Sequence, residues 1–361
     1  MMHGVTIVSQ KQQTRAGIVI YRPQDASGDS HRLLSDAGCR VRVIEEAGDL
    51  SRELKQAHPV HALLAASLRG AGLDRRELES LPELRIISKY TIGVDDVDIA
   101  AATDLGILVT HCPTEANWGG VAEGTIALML ALLKKIQIRD AQIRAGGWRT
   151  DELQGTYLGA RADGYPGITL GIIGLGRVGR RVAALMAPWK VRIIATDPYL
   201  DESVFTQNGV ESVALDVLLR QSDVVSLHCP LTEETENLIC SAKLARMKPE
   251  AVLINTARGK IVDVEAICDA LDANRLGGAA FDVLPEEPPA ADARILRSDG
   301  RVILSPHMVA ANQGGTLTAA IPRATEAVLS ALHGRVPPHV YNESAIAGWK
   351  LRFADKPLLD E

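Results

Sequence analysis

The chain has 361 residues, 46% hydrophobic and 23% charged, with 39 Lys+Arg against 45 Asp+Glu and a net charge of −6. That apolar content suffices for more than one core, and a mildly acidic balance with no basic block excludes nucleic acid or a membrane surface as the main partner. Residues 126–138, the longest apolar stretch, are interrupted by Lys134 and Lys135, residues 1–14 lack a signal core, and Cys39, Cys112, Cys229, Cys240 and Cys268 form no CxxC pair, so reduced thiols in a cytoplasmic protein are expected.

From Gly17 onward short apolar runs alternate with amphipathic stretches. Residues 17–21, 41–44, 62–65, 84–87 and 107–110 predict strands, and stretches near 30–38, 50–57, 74–80 and 97–104 predict helices. Such alternation predicts an α/β fold with a parallel sheet and right-handed crossovers. A single long helix is predicted from about Gly120 to Ala145, stopped by Gly146-Gly147, and residues 148–168, with four glycines and no period, predict a loop. A second set of strands follows at 169–174, 191–195, 224–228, 251–255, 278–281 and 302–304. After a helical pattern over 317–332 and Pro337-Pro338, the mixed, polar tail from Tyr341 to Glu361 is expected to pack back on the first domain. The result is two doubly wound domains, one of them discontinuous.

The segment Leu170-Gly-Ile-Ile-Gly-Leu-Gly-Arg-Val-Gly179 opens the second set, and Asp197 stands eighteen residues beyond its last glycine. Gly174 allows a tight turn, Gly176 lets backbone N–H groups approach a pyrophosphate, and Gly179 lets helix pack on strand. Asp197, at the end of the next strand, would accept from the ribose hydroxyls and repel a 2′-phosphate, which favours NAD over NADP. Arg177, inside the loop, lies close enough to moderate that preference.

Three further elements stand at the ends of late strands: Asn255-Thr-Ala-Arg258-Gly259, Phe281-Asp282 through Glu287-Pro288, and Leu304-Ser-Pro-His307. Ligands of open α/β sheets bind outside the carboxyl ends of strands, so Arg258, Glu287 and His307 could converge on one site. Reduction of a 2-oxo acid needs a cation for the carboxylate, which the fork of an arginine supplies. It also needs an acid for the developing alkoxide, and histidine titrates near working pH. A carboxylate beside His307 would favour the imidazolium and orient the ring. Taken singly, each residue also reads as ordinary: a solvated loop arginine, a structural histidine, and solvating charge at Glu286 and Glu287. Their order behind a dinucleotide fingerprint favours the site.

These motifs, together with Gly93-Val-Asp-Asp-Val-Asp98, Val121-Ala-Glu123, His228-Cys-Pro-Leu-Thr232 and Met247-Lys-Pro249, resemble the D-isomer-specific 2-hydroxyacid dehydrogenase family, from residue 17 to about 350. The resemblance implies a Rossmann NAD-binding domain, residues 119–314, inserted in a flavodoxin-like substrate domain, residues 15–118 and 315–361. It implies that Arg258 binds the substrate carboxylate, that Glu287 partners His307, and that His307 is the acid/base. Gly174, Gly176, Arg177, Val178, Gly179, Asp197, Cys229, Pro230, Thr235, Thr256, Ala257 and Asp282 would contact the cofactor, and the amides of Ile92 and Gly93 the substrate. No metal is implied. Three departures bear on the substrate: Thr91 where the family usually has glycine, Met-Val-Ala-Ala-Asn312 after His307, and Trp118, which is either core or a wall of the cleft. Arg69 reads equally as an anchor for a second negative group and as a solvated loop residue. The family also includes NAD-sensing, corepressor-like scaffolds, an alternative that an enzyme reading outweighs here because the head and tail are short. A homodimer through the long helix is the expected assembly.

Overall fold

The structure is a computed structural model that describes residues 16–22, 27–45, 50–68, 73–297, 300–313 and 317–359. It divides into two compact units, one formed by the chain up to Asn117 and again after Gln313, the other by Trp118–Gln313. In the first unit, β1 (Gly17–Tyr21), β2 (Arg40–Ile44), β3 (Ala62–Ala65), β4 (Ile86–Lys89) and β5 (Leu108–Thr110) form a parallel sheet in the order β2-β1-β3-β4-β5. The crossovers run through α1 (Asp29–Asp36), α2 (Leu50–Gln56), α3 (Arg75–Glu79) and α4 (Ile99–Asp104). β1, β3, β4 and β5 are buried along their whole length, because helices cover both faces of a parallel sheet. Alternate residues therefore feed different cores: Ile18 and Ile20 join Leu34, Leu64 and Ile86, whereas Val19 joins Leu54, Leu63 and Ile87. Asp74 and Asp98 start α3 and α4 by accepting from the amides of Glu77 and Ala101.

β4 begins two residues later than the apolar pattern predicts. Leu84 is buried yet closes a turn on Leu81, while Ser88 and Lys89, polar and fully buried, complete the strand.

In the second unit, β6 (Thr169–Ile173), β7 (Arg192–Thr196), β8 (Glu211–Ser212), β9 (Val224–Leu227), β10 (Val252–Asn255), β11 (Gly278–Phe281) and β12 (Val302–Leu304) are parallel in the order β12-β11-β10-β9-β6-β7-β8. The chain runs outward from β6 to β8 and returns on the other side at β9, so the strand order reverses between β6 and β9, the place where doubly wound sheets bind dinucleotides. β8, only two residues long, escapes any sequence pattern. Helices α5 (Glu115–Leu133), α6 (Ile136–Arg144), α7 (Arg177–Met186), α8 (Glu202–Gln207), α9 (Leu215–Gln221), α10 (Ser241–Leu244) and α11 (Val264–Asp272) complete the α/β layers.

The single long helix expected from Gly120 to Ala145 is in fact two helices. α5 starts earlier, through the buried Gly119 and Gly120, and the break falls at Lys135, whose φ of 53° is left-handed. The break is sealed from a distance: Thr156 N–H donates to Leu133 O, and the ammonium groups of Lys134 and Lys135 donate to Thr156 O and Glu152 O. α5 is long and apolar enough to cross a membrane by length and composition alone. Here Ala122, Met129 and Leu133 bury it in a core with Leu170, Ile172 and Val182.

The chain then returns to the first unit. α12 (Ala320–Leu332) packs on α1, β3 and β4, and α13 (Ile346–Trp349) runs into a wider helical turn, Lys350–Ala354. The tail expected as mixed and polar thus buries Trp349 completely and Phe353 nearly so. It also borders β5. Tyr341 N–H donates to Val109 O, Asn342 Oδ1 accepts from Val109 N–H, and Asn342 Nδ2 donates to Ile107 O.

Candidate active site

The three glycines of the Gly174-x-Gly176-x-x-Gly179 motif differ in what surrounds them. Gly174, past the end of β6, has φ +91°, and a Cβ there would lie 2.7 Å from Cys229 N. A Cβ at Gly179 would lie 2.3 Å from Gly174 O, so that glycine lets α7 close on the strand end. Gly176 caps α7 and has no atom within 4 Å of its Cβ position, leaving open space beside the helix N-terminus. Asp197, beyond β7, accepts at Oδ2 from Leu175 N–H (2.9 Å) and at Oδ1 from Tyr199 N–H (3.2 Å), tying the glycine loop to the neighbouring strand end. Arg177 is exposed and Val178 half-buried on the first turn of α7.

Across β6, Cys229 and Pro230 follow β9. Burial pushes the Cys229 thiol up to about 11, which makes it an inert wall. Thr235 Oγ1 donates to Pro230 O (2.7 Å) and accepts from Thr232 N–H (2.8 Å), folding this loop. An open cradle at a helix N-terminus, flanked by an acid on the next strand, fits a dinucleotide.

On the other side of the sheet, β10 ends in the fully buried Asn255. Its Oδ1 accepts from Ala257 N–H (3.1 Å) and its Nδ2 donates to Arg258 O (2.9 Å), pinning the turn that presents the half-buried Arg258. A Cβ on Gly259 would lie 2.0 Å from the carbonyl carbon of Leu284, so this turn rests against the loop after β11. That loop carries Glu287, whose Oε1 accepts from Leu284 N–H at 3.0 Å. His307, after β12, places Nδ1 3.0 and 3.2 Å from the two Glu287 oxygens. Their side chains remain 36% and 21% exposed, within reach of a ligand. Glu286 points to solvent.

His307 sits at φ 56°, a left-handed conformation that histidine adopts more readily than most side chains. Asp282, 3% exposed, holds that turn: its O accepts from His307 N–H (2.8 Å), and its Oδ1 from Met308 and Val309 N–H (2.9 and 3.0 Å). Burial raises the Asp282 carboxyl above the usual range, against hydrogen bonds from Ser305 and these amides. Two supporting positions carried no sequence signal. A Cβ at Gly124 would lie 2.0 Å from Val309 Cγ2, so Gly124 makes room on α5 for the bulky run after His307. Thr125 Oγ1 lies 2.8 Å from Thr256 Oγ1, linking the same helix to the Arg258 turn.

In the first unit, Ile92 and Gly93 lie in the loop after β4. Thr91 Oγ1 bonds to Gly93 O (3.1 Å) and Ala66 O (3.3 Å), Cys112 N–H donates to Thr91 O, and His111 Nδ1 lies 3.2 Å from Ile92 O. The Cβ that distinguishes Thr91 from glycine therefore brings a hydroxyl that braces the loop. Trp118 is half-buried on α5, and Arg69 lies outside the described residues.

Residues 126–309 match the family "D-isomer specific 2-hydroxyacid dehydrogenase, NAD binding domain". The chain is 37% identical over 313 residues to a glyoxylate reductase of Thermofilum pendens, covering 85% of this chain and 90% of that protein. It is 37% identical over 245 residues to a D-3-phosphoglycerate dehydrogenase of Archaeoglobus fulgidus, 68% of this chain but 45% of that one, so it spans about half the length of that relative. Among solved structures it resembles D-lactate dehydrogenase from Aquifex aeolicus complexed with NAD and lactic acid, at a TM-score of 0.76 and 26% identity, covering 92% of this chain and 98% of the other. The chain belongs to the D-isomer-specific 2-hydroxyacid dehydrogenase family and is an NAD-dependent oxidoreductase acting on CH–OH groups.

Proposed function

We propose that the protein interconverts a small 2-oxo acid and its D-2-hydroxy acid, with Arg258 as carboxylate anchor and His307–Glu287 as acid/base dyad. The observation that carries this reading is the contact of His307 Nδ1 with the Glu287 carboxylate, beside the turn that presents Arg258. Bound NADH would supply a hydride to the carbonyl carbon. The π electrons of the C=O bond move to oxygen, which takes a proton from the His307 imidazolium and leaves neutral imidazole. With Nδ1 directed at Glu287, Nε2 is the atom that exchanges this proton. Arg258 fixes the carboxylate through two parallel bonds, so the carbonyl carbon is aligned before reaction. Gly176, Arg177, Val178, Asp197, Cys229, Pro230, Thr235, Thr256, Ala257 and Asp282 are assigned to the cofactor side, and Ile92 and Gly93 of the first unit to the substrate.

The relatives named as reductases and dehydrogenases lend the scaffold alternative no support. Loss of NADH absorbance with a panel of 2-oxo acids, among them glyoxylate, pyruvate and the 2-oxo form of 3-phosphoglycerate, tests the activity and ranks substrates. Arg258→Lys keeps the charge but loses the fork, so it should recover only part of the activity lost in Arg258→Ala. NADH affinity should change by less than about tenfold in both. Parent-like kinetics in Arg258→Lys would remove the anchor role.

We further infer a homodimer in the cytoplasm. The second half of α5, residues 124–133, is almost wholly apolar yet only half-buried on Ile126, Leu128 and Leu130, and Ile136, Ile143 and Trp148 nearby are exposed. The cysteines are free thiols, as a reducing compartment keeps them. Sedimentation equilibrium giving a monomer would refute the dimer.

A further inference from the structure

We propose that Asp96, paired with the buried Lys89, is a positioning residue that locks the substrate-side loops of the first unit in one conformation. The proposal rests on the assignment of Ile92 and Gly93 to the substrate. Lys89 ends β4 with its side chain 0% exposed, and Asp96, on the far side of the loop that contains Ile92 and Gly93, is 10% exposed. The ammonium lies 2.8 and 2.6 Å from the two carboxylate oxygens, and Asp96 Oδ2 also accepts from Leu68 N–H at 2.6 Å. Leu68 belongs to the loop after β3, immediately before Arg69. One carboxylate thus joins the end of β4, the loop after β3 and the loop after β4. Ile92 and Gly93 lie inside the ring that the ion pair closes.

Stability does not account for such a pair. Desolvating both charges costs about as much as their attraction returns, and neutral replacements of similar volume are often no less stable. What a short, doubly bonded ion pair does supply is one geometry in place of several. The Thr91 hydroxyl, bonded to Gly93 O and to Ala66 O, ties the same two loops at a second point. A substrate-binding backbone held at two points is preset and does not adapt, and hydride transfer is sensitive to misplacement of about 1 Å.

The test uses the full chain and the neutral double variant Lys89→Met/Asp96→Asn. Its melting temperature and NADH affinity are expected to stay close to the parent's. Its KM for the best 2-oxo acid should rise about tenfold or more, as loose positioning predicts. Amide hydrogen exchange at Leu68, Ile92 and Gly93 should quicken by at least about tenfold. Lys89→Arg, which keeps charge and two donors, should restore most of the KM. The single variants Lys89→Met and Asp96→Asn each remove one half of the buried pair and should melt earlier. If the double variant does not fold, Asp96→Asn alone, which keeps an acceptor for Leu68 N–H, is read by the same KM and exchange criteria. Parent-like KM and parent-like exchange in a folded variant would overturn the proposal. A parent that reduces no 2-oxo acid would instead overturn the proposed function, and the exchange rates would still decide the lock.

Discussion

Gly176 and Gly179 lie three residues apart, yet the same added methyl should do different things at each. At Gly176 the backbone angle is ordinary (φ −75°) and the Cβ position has no neighbour within 4 Å. Gly176→Ala should therefore fold as the parent does, within about 0.5 kcal/mol. The methyl would nevertheless stand beside the first amides of α7, where a pyrophosphate has to approach, and NADH affinity should fall at least about tenfold, or about 1.4 kcal/mol. At Gly179 the Cβ would lie 2.3 Å from Gly174 O, about 1.1 Å inside the 3.4 Å of an ordinary contact. α7 would have to lift off the strand end by about that distance, an overpacking cost of about 1–3 kcal/mol. Gly179→Ala should thus lose stability and NADH affinity together, whereas Gly176→Ala should lose affinity alone. Urea unfolding followed by circular dichroism, paired with NADH fluorescence titration, separates the two. Parent-like NADH affinity in Gly176→Ala, or parent-like stability in Gly179→Ala, would show that the cofactor loop is not built this way.

The site and the first unit give further expectations. Asp197→Ala should erode the preference for NAD over NADP through lost hydrogen bonds and relieved repulsion, each about 1–3 kcal/mol; equal use of both cofactors by the parent would defeat this. His307→Ala should lower kcat by roughly 10² to 10⁴ with NADH binding nearly unchanged, while Glu287→Gln should move the pH profile of reduction to lower pH because the imidazolium loses its neighbouring charge. An unchanged profile would remove Glu287 from the mechanism. His61, buried just before β3, has its pKa lowered to about 4 by burial first and by Arg85 second, against the ordinary 6.5. Between those values the unfolded chain takes up a proton that the fold refuses, so stability should fall as pH drops from 6.5 towards 4, by about 3 kcal/mol in all. Denaturant unfolding of the first unit at neutral and acid pH measures it, and His61→Asn should flatten the difference.

Much of the architecture could be read in the sequence because a parallel sheet buried on both faces leaves a simple trace. Runs such as Gly17–Tyr21 and residues 170–173 are apolar and buried and are punctuated by turns. The glycine loop is legible because its three glycines do separate jobs: a left-handed turn at Gly174, open space beside the helix N-terminus at Gly176, and close helix–strand packing at Gly179. What escaped depends on distant partners. The break at Lys135 is fixed by residues 152–156, the offset of β4 by a lysine whose counter-charge lies seven residues on, and the role of Gly124 by Val309. At the site, strand-end order brought out Arg258, Glu287 and His307, but not how Asn255 and Asp282 hold the turns beneath them. Asn255 and Asp282 use their side chains on backbone amides of turns, a task that leaves no periodicity. Nor could spacing choose between Glu286 and Glu287, since only the fold of the loop turns one towards His307.

The return of the chain to the first sheet sets an order of events during synthesis. β1 to β5 are all translated by Thr110, yet α12, Trp349 and Phe353, which cover one face of that sheet, follow some two hundred residues later. At about 5–20 residues per second, that face waits tens of seconds for its cover. Meanwhile the whole of Trp118–Gln313, a compact unit in its own right, has left the ribosome as one uninterrupted stretch. The half that is made first is therefore the half that is finished last. Until residues 340–342 arrive, Ile107–Val109 offers an open strand edge to any other nascent chain.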